Sequence, residues 1–212
     1  MSRGRLLVGD PDGGGWWDSI DSRLYLITPA RPDLAGFLEA AVRGGVDLVQ
    51  VREKGHSDRE LLPVLEEARE LTRRLGVALV VNDRPDLAVL AGADYVHLGQ
   101  DDLPVEKARA FGVGVGLSTH SLAEIEAADA DYIGVGPVYS TPTKEGRPAV
   151  GLELVRRAAE LARVPWFAIG GIDAGNAADV VAAGATRIAV VRAIGDAPDP
   201  EAAARALRAA LD

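Results

Sequence analysis

Gln50, Arg52 and Lys54 alternate along VQVREKG, residues 49–55. A spacing of two puts their side chains on one face of an extended strand. Two cations and an amide donor on one face suit a diphosphate, which arginine grips as a fork and lysine as a point charge. A salt-bridge cluster with Glu53 or other acids is the competing reading. Asn82 and Asp83 close the next apolar run, and Asp102 follows the one after it. Hard cations such as Mg²⁺ take oxygen ligands, often one or two carboxylates plus substrate phosphates. Each aspartate alone reads equally well as a helix cap, Asp83 before Pro85 and Asp102 before Pro104. Beside a cationic strand, the pair favours a metal.

Further along, Thr141, Pro142, Thr143 and Lys144 lie in a loop bounded by Gly and Pro, where hydroxyls and an amine suit an anion. A polar lid over the same place is the plainer alternative. Gly170-Gly171 and Val191-Arg192 close two later apolar runs. Backbone N–H groups in such turns approach phosphates closely, although paired glycines also serve tight turns alone. His97 reads as a satisfied interior residue and His56 as solvated. His120, just past Ser118, is the histidine with a plausible site role. No HExxH or similar spacing occurs, which argues against zinc.

These residues need a frame that brings strand ends together. Eight apolar, β-branched runs stand at residues 23–28, 46–52, 78–82, 95–99, 113–117, 132–137, 165–170 and 187–192. Near-continuous apolar strands are buried on both faces, as in parallel sheets. Helical patterns fill the gaps. Leu34, Phe37, Leu38, Ala41 and Val42 make one stripe, ended by Gly44-Gly45. Leu61, Val64, Leu65, Ala68, Leu71, Thr72 and Leu75 make another, with Ser57 and Glu60 as its capping box. Pro63 implies that the regular helix starts a little later than this box. Ser121 and Glu124 form a second capping box. Further helices are expected at about 85–91, 104–111, 151–162, 174–183 and 200–211. Eight strand–helix units predict an α/β chain folded as a single (β/α)8 TIM barrel, with chemistry at the C-terminal ends of its strands. No GxGxxG follows the first strand, which argues against a dinucleotide fold.

With 212 residues, the chain is somewhat short for a barrel, which typically has ~250. Residues 1–21, including Gly13-Gly14-Gly15 and Trp16-Trp17, read as an N-terminal extension, and 22–212 as the catalytic barrel. The net charge of -9, with no basic cluster, argues against nucleic acid as a partner. No apolar run approaches the ~20 residues of a membrane span, and the start lacks the apolar stretch of a secretory signal. Cysteine is absent, which excludes disulfides and thiolate metal sites. These features together fit a cytoplasmic enzyme.

From Leu24 to about Pro200 the ordered motifs resemble the thiamine-phosphate synthase family. The resemblance implies a transferase that joins a hydroxymethylpyrimidine diphosphate to a thiazole phosphate, or to its 2-carboxy form, and releases pyrophosphate. It implies that Gln50, Val51, Arg52, Glu53 and Lys54, with Asn82, Ser118 and Lys144, bind the pyrimidine diphosphate. Arg52, Lys54, Ser118 and Lys144 would be the catalytic set. Asp83 and Asp102 would hold Mg²⁺. Thr141, Pro142, Thr143, Gly171, Val191 and Arg192 would hold the thiazole phosphate. One departure stands out, because family members often carry serine at the position of Arg192.

Three other functions use some of these residues. A thiazole tautomerase on the same barrel would rely on His120 and need no diphosphate site. A Schiff-base aldolase would use Lys144, but that lysine sits among hydroxyls rather than in a desolvated pocket. A non-catalytic barrel that binds thiamine precursors would leave the cationic strand and the aspartate pair without a task.

Overall fold

Eight parallel strands close on themselves in chain order. They are β1 (Leu24–Thr28), β2 (Leu48–Val51), β3 (Ala78–Asn82), β4 (Tyr95–Leu98), β5 (Gly114–Thr119), β6 (Tyr132–Val135), β7 (Trp166–Ile169) and β8 (Ile188–Val190). Closure runs through Leu24↔Ile188, Tyr25↔Ala189 and Leu26↔Val190. The surrounding helices are α1 (Leu34–Arg43), α2 (Asp58–Leu75), α3 (Pro85–Ala91), α4 (Val105–Ala108), α5 (Leu122–Ala127), α6 (Gly151–Leu161), α7 (Ala177–Ala182), α8 (Arg192–Gly195) and α9 (Pro200–Ala209). The computed structural model describes residues 21–141 and 148–212. Residues 1–20 of the expected extension, and Pro142, Thr143 and Lys144, lie outside the described residues. Among the described residues, no helix is long and apolar enough to cross a membrane.

The period of two along each strand makes two cores. Leu24, Leu26, Val49, Val51, Leu79, Val81, Val96 and Leu98 point outward and are buried in the helix-packed cluster. Tyr25, Ile27, Leu48, Val80, Tyr95, Tyr132, Phe167 and Ala189 fill the barrel itself. Its aromatic rings meet edge-on, with centroids 5.2 Å apart for Tyr25–Phe167 and 5.8 Å for Tyr95–Tyr132, the arrangement that ring quadrupoles favour. β5 makes room for them. A Cβ on Gly116 would lie 2.1 Å from Tyr132 Cζ, and one on Gly114 would lie 2.3 Å from Tyr95 Cδ1.

The N-terminal rim of the barrel repeats one device. Asp47, Asp94 and Asp131 each stand just before an even-numbered strand and clamp the start of the preceding odd one. Asp47 donates its N–H to Leu24 O and accepts from Leu24 N. Asp94 does the same with Leu79, and Asp131 with Val115. Arginines neutralise the three acids: Arg208 at 2.5 Å, Arg69 at 2.8 Å and Arg109 at 3.8 Å.

Four local expectations differ from the structure. α2 starts at Asp58 and runs through Pro63. The Ser57 N–H bonds to Glu60 Oε2 at 2.9 Å, and Arg59, whose carbonyl loses an i+4 donor to the proline, is exposed to water. β5 extends to Thr119, because Ser118 and Thr119 still pair with Gly134 and Val135 of β6. The expected helix at 104–111 is one α turn followed by a 3₁₀ turn, Arg109–Phe111. The last strand ends at Val190, and Arg192 begins α8.

Candidate active site

A cavity of about 550 Å³ opens at the C-terminal ends of the strands. Gln50, Arg52 and Lys54 all line it. The Arg52 N–H continues the ladder to Thr28 O at 2.8 Å, which carries the strand's alternation past the end of β2. Val51, the intervening residue, faces the helices in the outer core. Glu53 is not part of the cavity wall. Its carboxylate accepts the N–H groups of Lys54 and Gly55, each at 2.9 Å, and lies 3.4 Å from His56 Nδ1. Glu53 therefore shapes the turn that presents Lys54 and does not join a salt-bridge cluster with it.

Asn82, Asp83 and Asp102 form the adjoining wall. Asp83 has a φ of +61°, a left-handed conformation that Asp and Asn adopt more readily than most residues. Its N–H bonds to His97 O, and the N–H of Arg84 reaches back to Asn82 O. That kink ends β3 abruptly. Neither aspartate caps the helix after it. Arg84 is the N-cap residue of α3 and Pro104 that of α4, without side-chain cap bonds. Asp102 instead accepts the Gly99 N–H at 2.6 Å.

Burial pushes the Asp83 carboxyl pKa up, and the facing Asp102 carboxylate pushes it further. Lys54, with Nζ 3.5 Å from Asp83 Oδ2, pulls it back only in part. Two carboxylates pressed together with incomplete compensation make a donor set that a hard divalent cation fits. No group of three or more His, Asp or Glu side chains that could hold a metal is found among the described residues.

Ser118 enters from the extended end of β5. Thr141, Gly171, Val191 and Arg192 close the β6–β8 side. Gly170 and Gly171 have φ of +104° and +64°. A Cβ at Gly170 would lie 2.5 Å from Pro137, so this turn accepts only glycine without rearrangement. Arg192 is exposed and is the first residue of α8.

Polar cavity residues that carry no motif signal include His97, Gln100, Asp101 and Asp173. His97 is not merely a satisfied interior residue, since it forms part of the cavity wall and lies 3.0 Å from Ser118 Oγ. Its inward phase, two residues after Tyr95, was the available signal. Gln100 bonds to Ser118 O at 2.7 Å. His120 also lines the cavity, with Nδ1 2.5 Å from Gly136 O.

Residues 24–194 match the family described as thiamine monophosphate synthase. A thiamine-phosphate synthase from Arthrobacter sp. (strain FB24) is 52% identical over 225 residues, covering 91% of this chain and 95% of the relative. One from Thermus thermophilus is 55% identical over 199 residues, covering 89% and 97%. Among solved structures, a thiamine phosphate pyrophosphorylase from Pyrococcus furiosus superposes with a TM-score of 0.81 at 35% identity, covering 89% of this chain and 95% of that one.

Proposed function

The chain belongs to the thiamine monophosphate synthase family, and we propose that its barrel mouth joins a pyrimidine methyl diphosphate to a thiazole phosphate with release of pyrophosphate. It is a transferase of thiamine biosynthesis acting on small molecules. One observation carries the assignment of the site: the cationic column Gln50–Arg52–Lys54 meets the Asp83–Asp102 pair in a single cavity.

The pyrimidine diphosphate lies against Gln50, Arg52, Lys54, Asn82 and Ser118. Asp83 and Asp102 would hold Mg²⁺, which when bound supplies charge compensation to the diphosphate oxygens. The thiazole phosphate lies on the β6–β8 side, near Thr141, Gly171, Val191 and the start of α8. The C–O bond to the diphosphate breaks and its electron pair leaves with pyrophosphate. The electron-rich aminopyrimidine stabilises the resulting methylene cation, and the thiazole nitrogen lone pair forms the new C–N bond. Arg52 and Lys54 stabilise charge on the departing group. The protein holds both partners in line, and the bond-forming step needs no protein nucleophile. Lys144 is assigned with Arg52 and Lys54 on the resemblance alone.

Incubation of the purified chain with both substrates and Mg²⁺ tests this. Thiamine phosphate and pyrophosphate should appear in equal amounts, and a chelator should stop the reaction. Isomerisation of the thiazole without coupling would favour the tautomerase instead.

A further inference from the structure

A line of hydrogen bonds crosses the barrel interior beneath the cavity. Gln50 Nε2 donates to the Tyr25 hydroxyl at 2.6 Å. The Tyr25 and Tyr132 hydroxyl oxygens are 3.0 Å apart. Tyr132 OH lies 3.1 Å from His97 Nδ1. His97 Nε2 lies 3.0 Å from Ser118 Oγ. Five strands, β2, β1, β6, β4 and β5, each contribute one member.

The direction of this line follows from counting hydrogens. Tyr25 and Tyr132 are 2% and 0% exposed. Burial lifts both phenol pKa values well above the ordinary range, so each keeps its hydrogen. A phenol has one hydrogen to give. Tyr25 accepts from Gln50 and therefore gives its own to Tyr132. Tyr132 in turn gives its hydrogen to His97 Nδ1. A ring that accepts at Nδ1 carries its hydrogen on Nε2, where it faces Ser118 Oγ. Ser118 then accepts along this line, and its own hydrogen is directed away from His97. Ser118 lines the cavity.

We propose that His97, held as its Nε2–H tautomer by Tyr132, is a positioning residue that aims the Ser118 hydroxyl hydrogen into the cavity, making Ser118 a donor to an acceptor atom of the bound pyrimidine diphosphate. The substrate half rests on the function proposed above. The tautomer half does not.

Two measurements separate these halves. In the full chain without substrate, ¹⁵N NMR of labelled imidazoles reads the His97 tautomer directly. His56→Gln and His120→Gln variants identify the remaining signals as those of His97, since the chain has three histidines. The expected result is a hydrogen-bond-accepting Nδ1 and a protonated Nε2. The opposite tautomer would mean that the line runs from Ser118 to Gln50, and would overturn the proposal.

Steady-state kinetics form the second measurement. Tyr132→Phe keeps the ring and removes the hydroxyl. It should lower kcat about tenfold, a loss of ~1.4 kcal/mol, and leave the KM for thiazole phosphate unchanged. In a Ser118→Ala background the same change should cost less than about twofold, because the group through which it acts is gone. An equal cost in both backgrounds would reduce Tyr132 and His97 to packing and overturn the positioning role. The expected tautomer in a chain that forms no thiamine phosphate would overturn the substrate half and leave the relay standing.

Discussion

The two rims of this barrel use the same residue types to opposite ends. On the N-terminal rim, Asp47, Asp94 and Asp131 each receive a backbone N–H and an arginine. On the C-terminal rim, Asp83 and Asp102 face each other, with Lys54 beside only one of them. Asp94 and Asp83 both have raised carboxyl pKa values, but the causes differ. At Asp94 burial alone raises it, and every polar neighbour pulls it down. At Asp83 a second carboxylate adds to burial. The first rim closes its own hydrogen bonds and holds the strands in register. The second leaves charge to be completed by something bound, as expected of the catalytic face of such a barrel.

The largest effect should come from breaking the unfinished rim. Asp83→Ala should cut turnover on the order of 100- to 1,000-fold, the scale seen when one charge-stabilising group is lost. Its melting temperature should fall only modestly, because the loss of a repulsion offsets the strain of alanine at a φ of +61°. Asp83→Asn, which tolerates that φ, should show the same loss of activity. Pyrophosphate release and thermal melts of the two variants measure this. Full activity of Asp83→Ala in the presence of a chelator would remove the metal from the assignment.

The closed rim should respond in stability instead. Asp94→Ala strips an acceptor from Leu79 N–H and a partner from Arg69. The expected cost is about 2–3 kcal/mol, with turnover per folded molecule unchanged. Because the folded pKa of Asp94 lies above its ordinary value, its contribution is greatest below the ordinary carboxylate range and declines as pH rises through the folded value. The negative charge itself is therefore unfavourable at neutral pH. Asp94→Asn, which keeps an acceptor oxygen, should cost under about 1 kcal/mol. Denaturant titration distinguishes the two. An equal loss in both variants would show that the ion pair, and not the hydrogen bond, holds this rim.

The rims were not equally legible in the sequence. Strand ends with polar residues at period two gave away the C-terminal face, because Gln50, Arg52 and Lys54 repeat the alternation of the strand below them. Eight apolar runs gave the closed barrel for the same reason. The clamp by Asp47, Asp94 and Asp131 carries no such pattern. Each is a lone aspartate before a strand, and its partner lies 15 to 23 residues away. The apolar run continues to Val191 and so puts Arg192 at a strand end in the sequence, whereas hydrogen bonds to Val191 O and Arg192 O already wind the chain into α8. His97, a histidine between valine and leucine, looks like core in the sequence. Only the meeting of β4, β5 and β6 shows that it touches Ser118.

Between the rims lies the aromatic filling, and a smaller disturbance there should reach both. In Gly116→Ala the new Cβ meets the Tyr132 ring at 2.1 Å, where no flexible side-chain end can yield. Overpacking of this kind costs about 1–3 kcal/mol. Tyr132 also belongs to the line that ends at Ser118, so turnover should fall along with stability. Gly92→Ala makes a useful control. Nothing lies within 4 Å of its Cβ position, and its φ of +69° brings only backbone strain. It should lower stability without touching turnover. A Gly116→Ala enzyme with native kinetics would mean that the interior layer transmits nothing to the upper rim.

The smallest effect is expected at Arg192 on the upper rim. Arg192 is exposed and opens the four-residue α8. The cavity wall there also includes Gly170 and Gly171, whose positive φ angles let the turn pass close to a ligand. Backbone N–H groups at such a turn and at the start of a helix hold phosphate without help from a side chain. The guanidinium should therefore be dispensable to binding, whereas the backbone position should not. Arg192→Ser should keep kcat/KM for thiazole phosphate within about tenfold, or ~1.4 kcal/mol in the barrier. The competing possibility is a guanidinium fork on the phosphate. Under that arrangement Arg192→Ser would lose on the order of a thousandfold in kcat/KM for the thiazole phosphate, ~4 kcal/mol, with pyrimidine-diphosphate binding unchanged. Kinetics at varied thiazole phosphate separate the two. The larger loss would also change the contrast between the rims, because the C-terminal rim would then hold its second phosphate by a side-chain cation, as Arg52 and Lys54 are proposed to hold its first.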